Sequence, residues 1–374
     1  MEATVTATQE VELFTGSEGF RLEGGGRLSG VTVAFETYGA LNAAGDNAVL
    51  VCHALTGSAH AAGHTEGHPG GAAGWWDPMI GPGRALDTNR LFVICPNILG
   101  SCYGTTGPVS VNPATGHPYG ASFPPVTVRD MVRLQHALLG HLGVRSLRTV
   151  TGGSLGGMQV LEWGLMYAPM VRSLIPIATA SRHSAWCIGL NDIARQAIMQ
   201  DPGWQAGNYL PGQGPSAGLS LARQVAMVSY RSDRSFAARF GRERQQGDHS
   251  PARFDPQNLF QVESYLRYQG AKLVQRFDAN SYLVISRAMD WHDVGHGRGG
   301  VDQALASITC PVLCIGITSD VLYPVQEQRT LAAGIPGAAF AEIDSLHGHD
   351  AFLIEFEQLT TGIRSFLQRH SLTS

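Results

Sequence analysis

Short apolar runs recur along the chain, separated by segments with helical spacing. Val31 to Tyr38 alternates like an early antiparallel strand. A Gly45-Asp46-Asn47 turn parts it from Ala48-Val49-Leu50-Val51-Cys52, which is continuous enough for a strand buried on both faces. Leu91 to Cys95 repeats that signature, and Val128 to Leu142 sets Met131, Leu134, Leu138 and Leu142 at helical spacing. Leu147 to Thr151 is short and β-rich, and Leu155 to Tyr167 follows as a proline-free helical stretch. Ser173 to Ala178, Pro311 to Ile317 and the shorter Ala338 to Ile343 complete the predicted strands, with a helix-like Ala351 to Phe356 after them. Strands alternating with helices predict a mostly parallel central sheet with helices on both faces.

About 130 residues separate the strand at Ser173 from the strand at Pro311, far more than one crossover helix requires. The helix-like pieces Leu219 to Tyr230 and Asn258 to Phe277, parted by the polar stretch Arg242 to Ser250, predict a helical lid inserted over residues 181–304. Residues 1–180 and 305–374 then form the core.

Composition narrows the function classes. The chain has 374 residues, 44% of them hydrophobic, which is enough for a large enzyme core. A net charge of −4 argues against a general nucleic-acid or anionic-membrane binder and favours small-molecule partners. No apolar run approaches the roughly 18 residues of a membrane span, and Met1 to Gly19 is acidic and polar, unlike a secretory signal. A cytoplasmic location is expected. The six cysteines include no C-x-x-C pair, so free thiols and no zinc site are expected. Lys272 is the only lysine, so arginine abundance carries no functional message, and each arginine has to be argued from its position.

The chemistry starts at Gly152-Gly153-Ser154-Leu155-Gly156, a G-x-S-x-G frame between a predicted strand and a predicted helix. In a nucleophile elbow the serine sits on a strained strand-to-helix turn, and glycines stand where side chains would collide. A bare match fits a connecting turn equally well, so the partners decide. They are expected in the order serine, acid, histidine, each after a later strand. Asp320 ends the strand at Pro311, and Ser345-Leu346-His347-Gly348-His349-Asp350 follows the next strand. His349 is preferred as the base because Gly348 permits a tight turn, with His347 in reserve.

A serine hydroxyl becomes nucleophilic when a base accepts its proton and a third group holds that base in one tautomer. Ser154, His349 and Asp320 fill those roles. The oxyanion is expected to meet the backbone N–H of Leu155 and, from the loop after the strand ending at Cys52, of Leu55. One such donor is worth roughly 3 kcal/mol of activation energy. His60, His64 and His68, with Glu66, superficially offer a metal cluster, but the glycines and proline around them oppose the helix that the spacing requires. No metal is expected.

Five motifs together resemble the homoserine O-acyltransferases of the α/β-hydrolase fold. They are Cys52-His53-Ala54-Leu55-Thr56-Gly57, Gly74-Trp75-Trp76-Asp77, Cys95 to Pro108, Gly152 to Gln159, and Gly348-His349-Asp350-Ala351-Phe352-Leu353. The resemblance runs nearly end to end. It implies the same triad and oxyanion donors, and it implies that Arg223, with Tyr230 beside it, reaches from the lid to an amino-acid carboxylate. Asp350 is implied as partner of the substrate ammonium. The implied reaction is ping-pong transfer from acetyl-CoA through an acyl-serine to L-homoserine in methionine biosynthesis, with no bound cofactor and with a homodimer joined through the lid helices. Succinyl-CoA as donor, serine as acceptor, and a lidded esterase are the alternatives. Ser101 and Tyr103 lie in the motif expected to line the acyl pocket.

Overall fold

The computed structural model describes residues 7–64, 73–210, 212–245 and 260–372. Its main sheet contains β1 (Gln9–Leu13), β2 (Val31–Tyr38), β3 (Ala48–Cys52), β4 (Phe92–Pro96), β5 (Leu147–Gly153), β6 (Leu174–Ile177), β7 (Leu313–Ile317) and β8 (Ala339–Ile343). The strand order is β1-β2-β4-β3-β5-β6-β7-β8. β2 is antiparallel to both of its neighbours, and the remaining pairs are parallel. Each predicted strand is found with ends within two residues of expectation, and β1 is additional.

β3 is apolar throughout because helices cover both faces of the sheet. Val49 and Val51 point into the layer closed by Leu359, Ile363 and Phe366 of α10 (Phe356–Arg369). Leu50 and Cys52 point the other way, against Val132 and Leu139 of α1 (Val128–His141) and Val160 and Leu161 of α2 (Leu155–Met166). Parallel sheets occur almost only with both faces covered in this way. α1 starts at a reciprocal cap, with Thr127 Oγ1 accepting from the Asp130 N–H and the Asp130 carboxylate accepting from the Thr127 N–H.

Between β6 and β7 the described residues form helices α3 (Ala185–Met199), α4 (Ser216–Tyr230), α5 (Asp233–Phe240), α6 (Gln261–Val274), α7 (Ala279–Asp290) and α8 (Val301–Ala306). The sequence pattern marks only α4 and α6. α3 and α7 are each announced by a capping residue, Ser184 and Asp278, whose side chain accepts from the third N–H of its helix. After β7 comes α9 (Val325–Gly334).

One expected helix is corrected. Ala351 to Phe356 is not α-helical: Gly348–Leu353 is a 3₁₀ turn, and α10 begins at Phe356. The tighter turn leaves the Phe352 carbonyl to accept from the Trp76 indole N–H at 3.0 Å. Glu66, His68, the first six residues of the N-terminal stretch, Asn258 and much of the polar stretch Arg242 to Ser250 lie outside the described residues. No helix among the described residues is long and apolar enough to cross a membrane. All six cysteines are free thiols.

Candidate active site

Ser154 stands between the last residue of β5 and the first of α2 with φ 58° and ψ −125°. A non-glycine residue in that region is strained, and the surrounding bonds hold it there. The Ser154 N–H donates to Ile177 O at 3.0 Å, and the Ser154 carbonyl accepts from Thr179 Oγ1 at 2.9 Å. The turn brings α2 close beneath β3, an approach that only glycine allows at two positions. A Cβ at Gly156 would lie 2.1 Å from the Cys52 carbonyl oxygen, and one at Gly152 would lie 2.4 Å from the same atom.

Asp320 and His349 arrive from the loops after β7 and β8. His349 Nδ1 bonds Asp320 Oδ2 at 2.7 Å, and Asp320 Oδ1 accepts from the N–H groups of Leu322 at 2.8 Å and Tyr323 at 2.9 Å. Both side chains are buried. Burial alone would push the His349 imidazolium down, but the Asp320 charge and hydrogen bond, with Asp350 behind them, outweigh it and raise the histidine above its ordinary value. Ser154 Oγ takes no part in this hydrogen-bonded chain. It shares a cavity of about 190 Å³ with His349, and His347 lines no part of that cavity.

His53 explains how the loop after β3 is held. Its Nδ1–H donates to the Ala54 carbonyl at 2.8 Å, and its Nε2 accepts from the Ile98 N–H at 3.1 Å. The ring is fully enclosed, and burial pushes its pKa down to about 4, so it stays neutral in this tautomer. Gln159 of α2 donates to the His53 carbonyl at 3.3 Å and to the Leu155 carbonyl at 3.1 Å. One side chain thus ties the Leu55 loop to the start of α2. Neither the Leu55 nor the Leu155 N–H donates to a protein acceptor among the described residues.

The opposite wall of the cavity comes from α4, one of the helices between β6 and β7. Arg223 and Tyr230 lie two turns apart on one face of α4, with the guanidinium 5.6 Å from the Tyr230 ring centroid. Arg223 makes no ion pair among the described residues. Asp350 also lines the cavity and pairs with Arg231 at 3.2 Å. Burial raises its carboxyl above the ordinary range, against the lowering effect of Arg231 and Arg223. Arg276, which the sequence pattern did not single out, closes a further side, donating to the Thr56 carbonyl at 2.8 Å and the Tyr103 hydroxyl at 2.6 Å. It follows the end of α6, where nothing local distinguishes it from a solvated arginine. Ser101 is buried and does not line the cavity. His60, from the rejected metal cluster, instead pairs with Glu36 at 3.0 Å.

Residues 47–356 match the family model for the alpha/beta hydrolase fold. A homoserine O-acetyltransferase of Moorella thermoacetica is 54% identical over 94% of each chain. The chain belongs to the homoserine O-acetyltransferase family. A solved homoserine O-acetyltransferase from Bacillus anthracis has a TM-score of 0.90 at 29% identity, covering 98% of both chains. The solved esterase E22 has a TM-score of 0.88 at 31% identity, covering 97% of this chain and all of that one. Membership in an acyltransferase family that shares its architecture with esterases puts the weight on the cavity wall, since a triad serves transfer and hydrolysis alike.

Proposed function

We propose that this acyltransferase moves an acetyl group from acetyl-CoA to the hydroxyl of L-homoserine, a step of methionine biosynthesis, through an acyl-serine on Ser154. His349, oriented by Asp320, takes the Ser154 proton as the serine attacks the thioester carbonyl and returns it to the departing thiolate. It then takes the proton of the homoserine hydroxyl, which attacks the acyl-serine and regenerates Ser154. The Leu55 and Leu155 N–H groups receive the oxyanion in both halves. Arg223 holds the amino-acid carboxylate with Tyr230 beside it, and Asp350 meets the ammonium.

The observation that carries this reading is the Arg223 guanidinium, without an ion-pair partner among the described residues, in the same small cavity as Ser154. A half-buried guanidinium that faces a small cavity with no ion pair of its own among the described residues is incompletely compensated there, Asp350 being shared with Arg231. A zwitterionic acceptor supplies a counter-ion, and a simple acetyl ester does not. Ester hydrolysis is the second reading, favoured by the likeness to esterase E22. The helices of residues 181–304 act as a lid that keeps water from the acyl-serine. Homodimerisation through that lid is supported by Leu221 and Val228 on α4 and Tyr268 on α6, large apolar side chains exposed on its surface. A cytoplasmic setting, where acyl-CoA and free amino acids coexist, fits the free thiols.

The test is thiol release from acetyl- and succinyl-CoA, each with homoserine or serine, for wild type and Ser154→Ala. Ser154-dependent release confined to acetyl-CoA with homoserine is expected. Release that ignores the acceptor would make the protein a thioesterase.

A further inference from the structure

Tyr323 brings a buried, unpaired hydroxyl to the nucleophile. The residue is 1% exposed, and its hydroxyl has no hydrogen-bond partner. Native interiors leave few such groups unsatisfied, so one that persists calls for an explanation. Its frame is rigid. The Tyr323 N–H is committed to Asp320 at 2.9 Å, and the ring centroid lies 5.3 Å from that of His349 and 5.9 Å from that of His183. The hydroxyl comes within reach of Ser154 without attaining hydrogen-bond geometry. Tyr323 and Ser154 also share the wall of a second cavity of only about 20 Å³, which neither Arg223 nor Arg276 lines.

We propose that Tyr323 is a positioning residue for Ser154, its O–H donating to Ser154 Oγ as the serine swings toward His349. A serine hydroxyl has one proton and two acceptor lone pairs and rotates to suit its surroundings. A donor fixed on one lone pair removes that freedom and leaves the serine's own proton directed at His349 Nε2. The same donor meets Oγ again when the second tetrahedral intermediate collapses and Ser154 departs from the acyl carbon. No bond to Tyr323 forms or breaks. Its proton stays in place, because burial pushes the phenol well above its ordinary value.

This inference rests on Ser154 as nucleophile and is independent of which acyl group and acceptor are used. The alternative is that Tyr323 only packs beneath the Asp320 loop. Tyr323→Phe separates the two, since it removes the hydroxyl and keeps the ring and the backbone N–H. Wild type, Tyr323→Phe and Ser154→Ala are compared, per titrated active site, in labelling by a fluorophosphonate and in turnover of p-nitrophenyl acetate. The expected result is labelling and kcat slowed about 3- to 10-fold in Tyr323→Phe, the loss of one ordinary hydrogen bond, with KM unchanged within twofold and the acid limb of the pH profile unmoved. Wild-type rates in Tyr323→Phe overturn the proposal. So does a rate loss accompanied by a shifted limb, which would route the effect through Asp320 and His349. Should the Phe variant not fold, 3-fluorotyrosine at position 323 serves, since it keeps the ring and makes the hydroxyl a stronger donor: an altered labelling rate with an unmoved limb supports the proposal, and wild-type labelling overturns it. Undiminished labelling of Ser154→Ala would sink the nucleophile assignment itself, whereas a silent Ser154→Ala beside a normal Tyr323→Phe sinks only the role of Tyr323.

Discussion

His349 Nδ1 and Asp320 Oδ2 are 2.7 Å apart, and the other Asp320 oxygen is already taken by two backbone N–H groups of its own loop. The carboxylate therefore cannot turn away, and the imidazole is held with Nε2 free. Because this pairing raises the pKa of His349, the neutral form required of a base is reached above the ordinary histidine value of about 6.5. Activity should fall as pH drops through that raised value. Asp320→Asn removes the dominant raising influence and leaves burial, so the limb should move to lower pH while kcat falls on the order of 10³-fold or more. An unmoved limb in the variant would count against the pairing. Stability follows the same linkage with opposite sense: the His349 contribution is complete below about pH 6.5 and is lost as pH rises through the raised value. Asp320→Asn should flatten that part of the unfolding curve.

Arg223→Ala should raise the KM for homoserine about 10- to 150-fold, the cost of a charge-assisted hydrogen bond. Turnover of p-nitrophenyl acetate, which has no carboxylate, should change by less than about twofold. Equal losses on both substrates would show that Arg223 supports the packing of α4 rather than the acceptor.

Gly156→Ala places a methyl 2.1 Å from the Cys52 carbonyl oxygen, an atom of a buried strand that has no rotamer to escape into. Urea unfolding should show a loss of about 1–3 kcal/mol, the usual cost of overpacking. Activity should fall with it, since relief requires β3 and the Leu55 loop to part from α2. Full stability in this variant would refute the close approach.

His53→Ala deletes both loop bonds and leaves the buried Ile98 N–H unpaired, a cost of about 1–3 kcal/mol. Since burial holds His53 down near 4, the unfolded chain binds the extra proton first. The stability conferred by neutral His53 is therefore present above about pH 6.5 and is lost as pH falls toward 4. The variant should show a shallower decline in stability over that acid range, measured by urea unfolding at several pH values. An unchanged slope would mean that His53 is not held neutral.

His347→Ala should keep turnover within about threefold of wild type, because His347 lines no part of the Ser154 cavity. A loss on the scale of Ser154→Ala would return the base assignment to His347.

The local pattern along the chain was sufficient for the sheet and for the positions of the candidate residues. Continuous apolar runs mark strands buried on both faces, and Ser154, Asp320 and the His347–His349 loop each follow such a run, so strand ends alone located them. The choice between His349 and His347 rested on Gly348, and the bond to Asp320 shows which imidazole meets the acid. What the pattern could not carry is contact between distant positions. His53 reads as a strand-end histidine until Ile98 is folded against it, Gly156 as a flexible helix residue until the Cys52 carbonyl lies beneath it, and Arg276 as a solvated arginine until Thr56 and Tyr103 reach it. α3 and α7 carry no clear local mark for the same reason, since their buried faces are set by neighbouring helices and the core rather than by a simple periodic stripe. Periodicity records how each residue partitions between water and the interior. Which interior groups then meet is fixed only when the chain closes, because hydrogen bonds and close packing depend on distances of a few ångströms between residues remote in sequence.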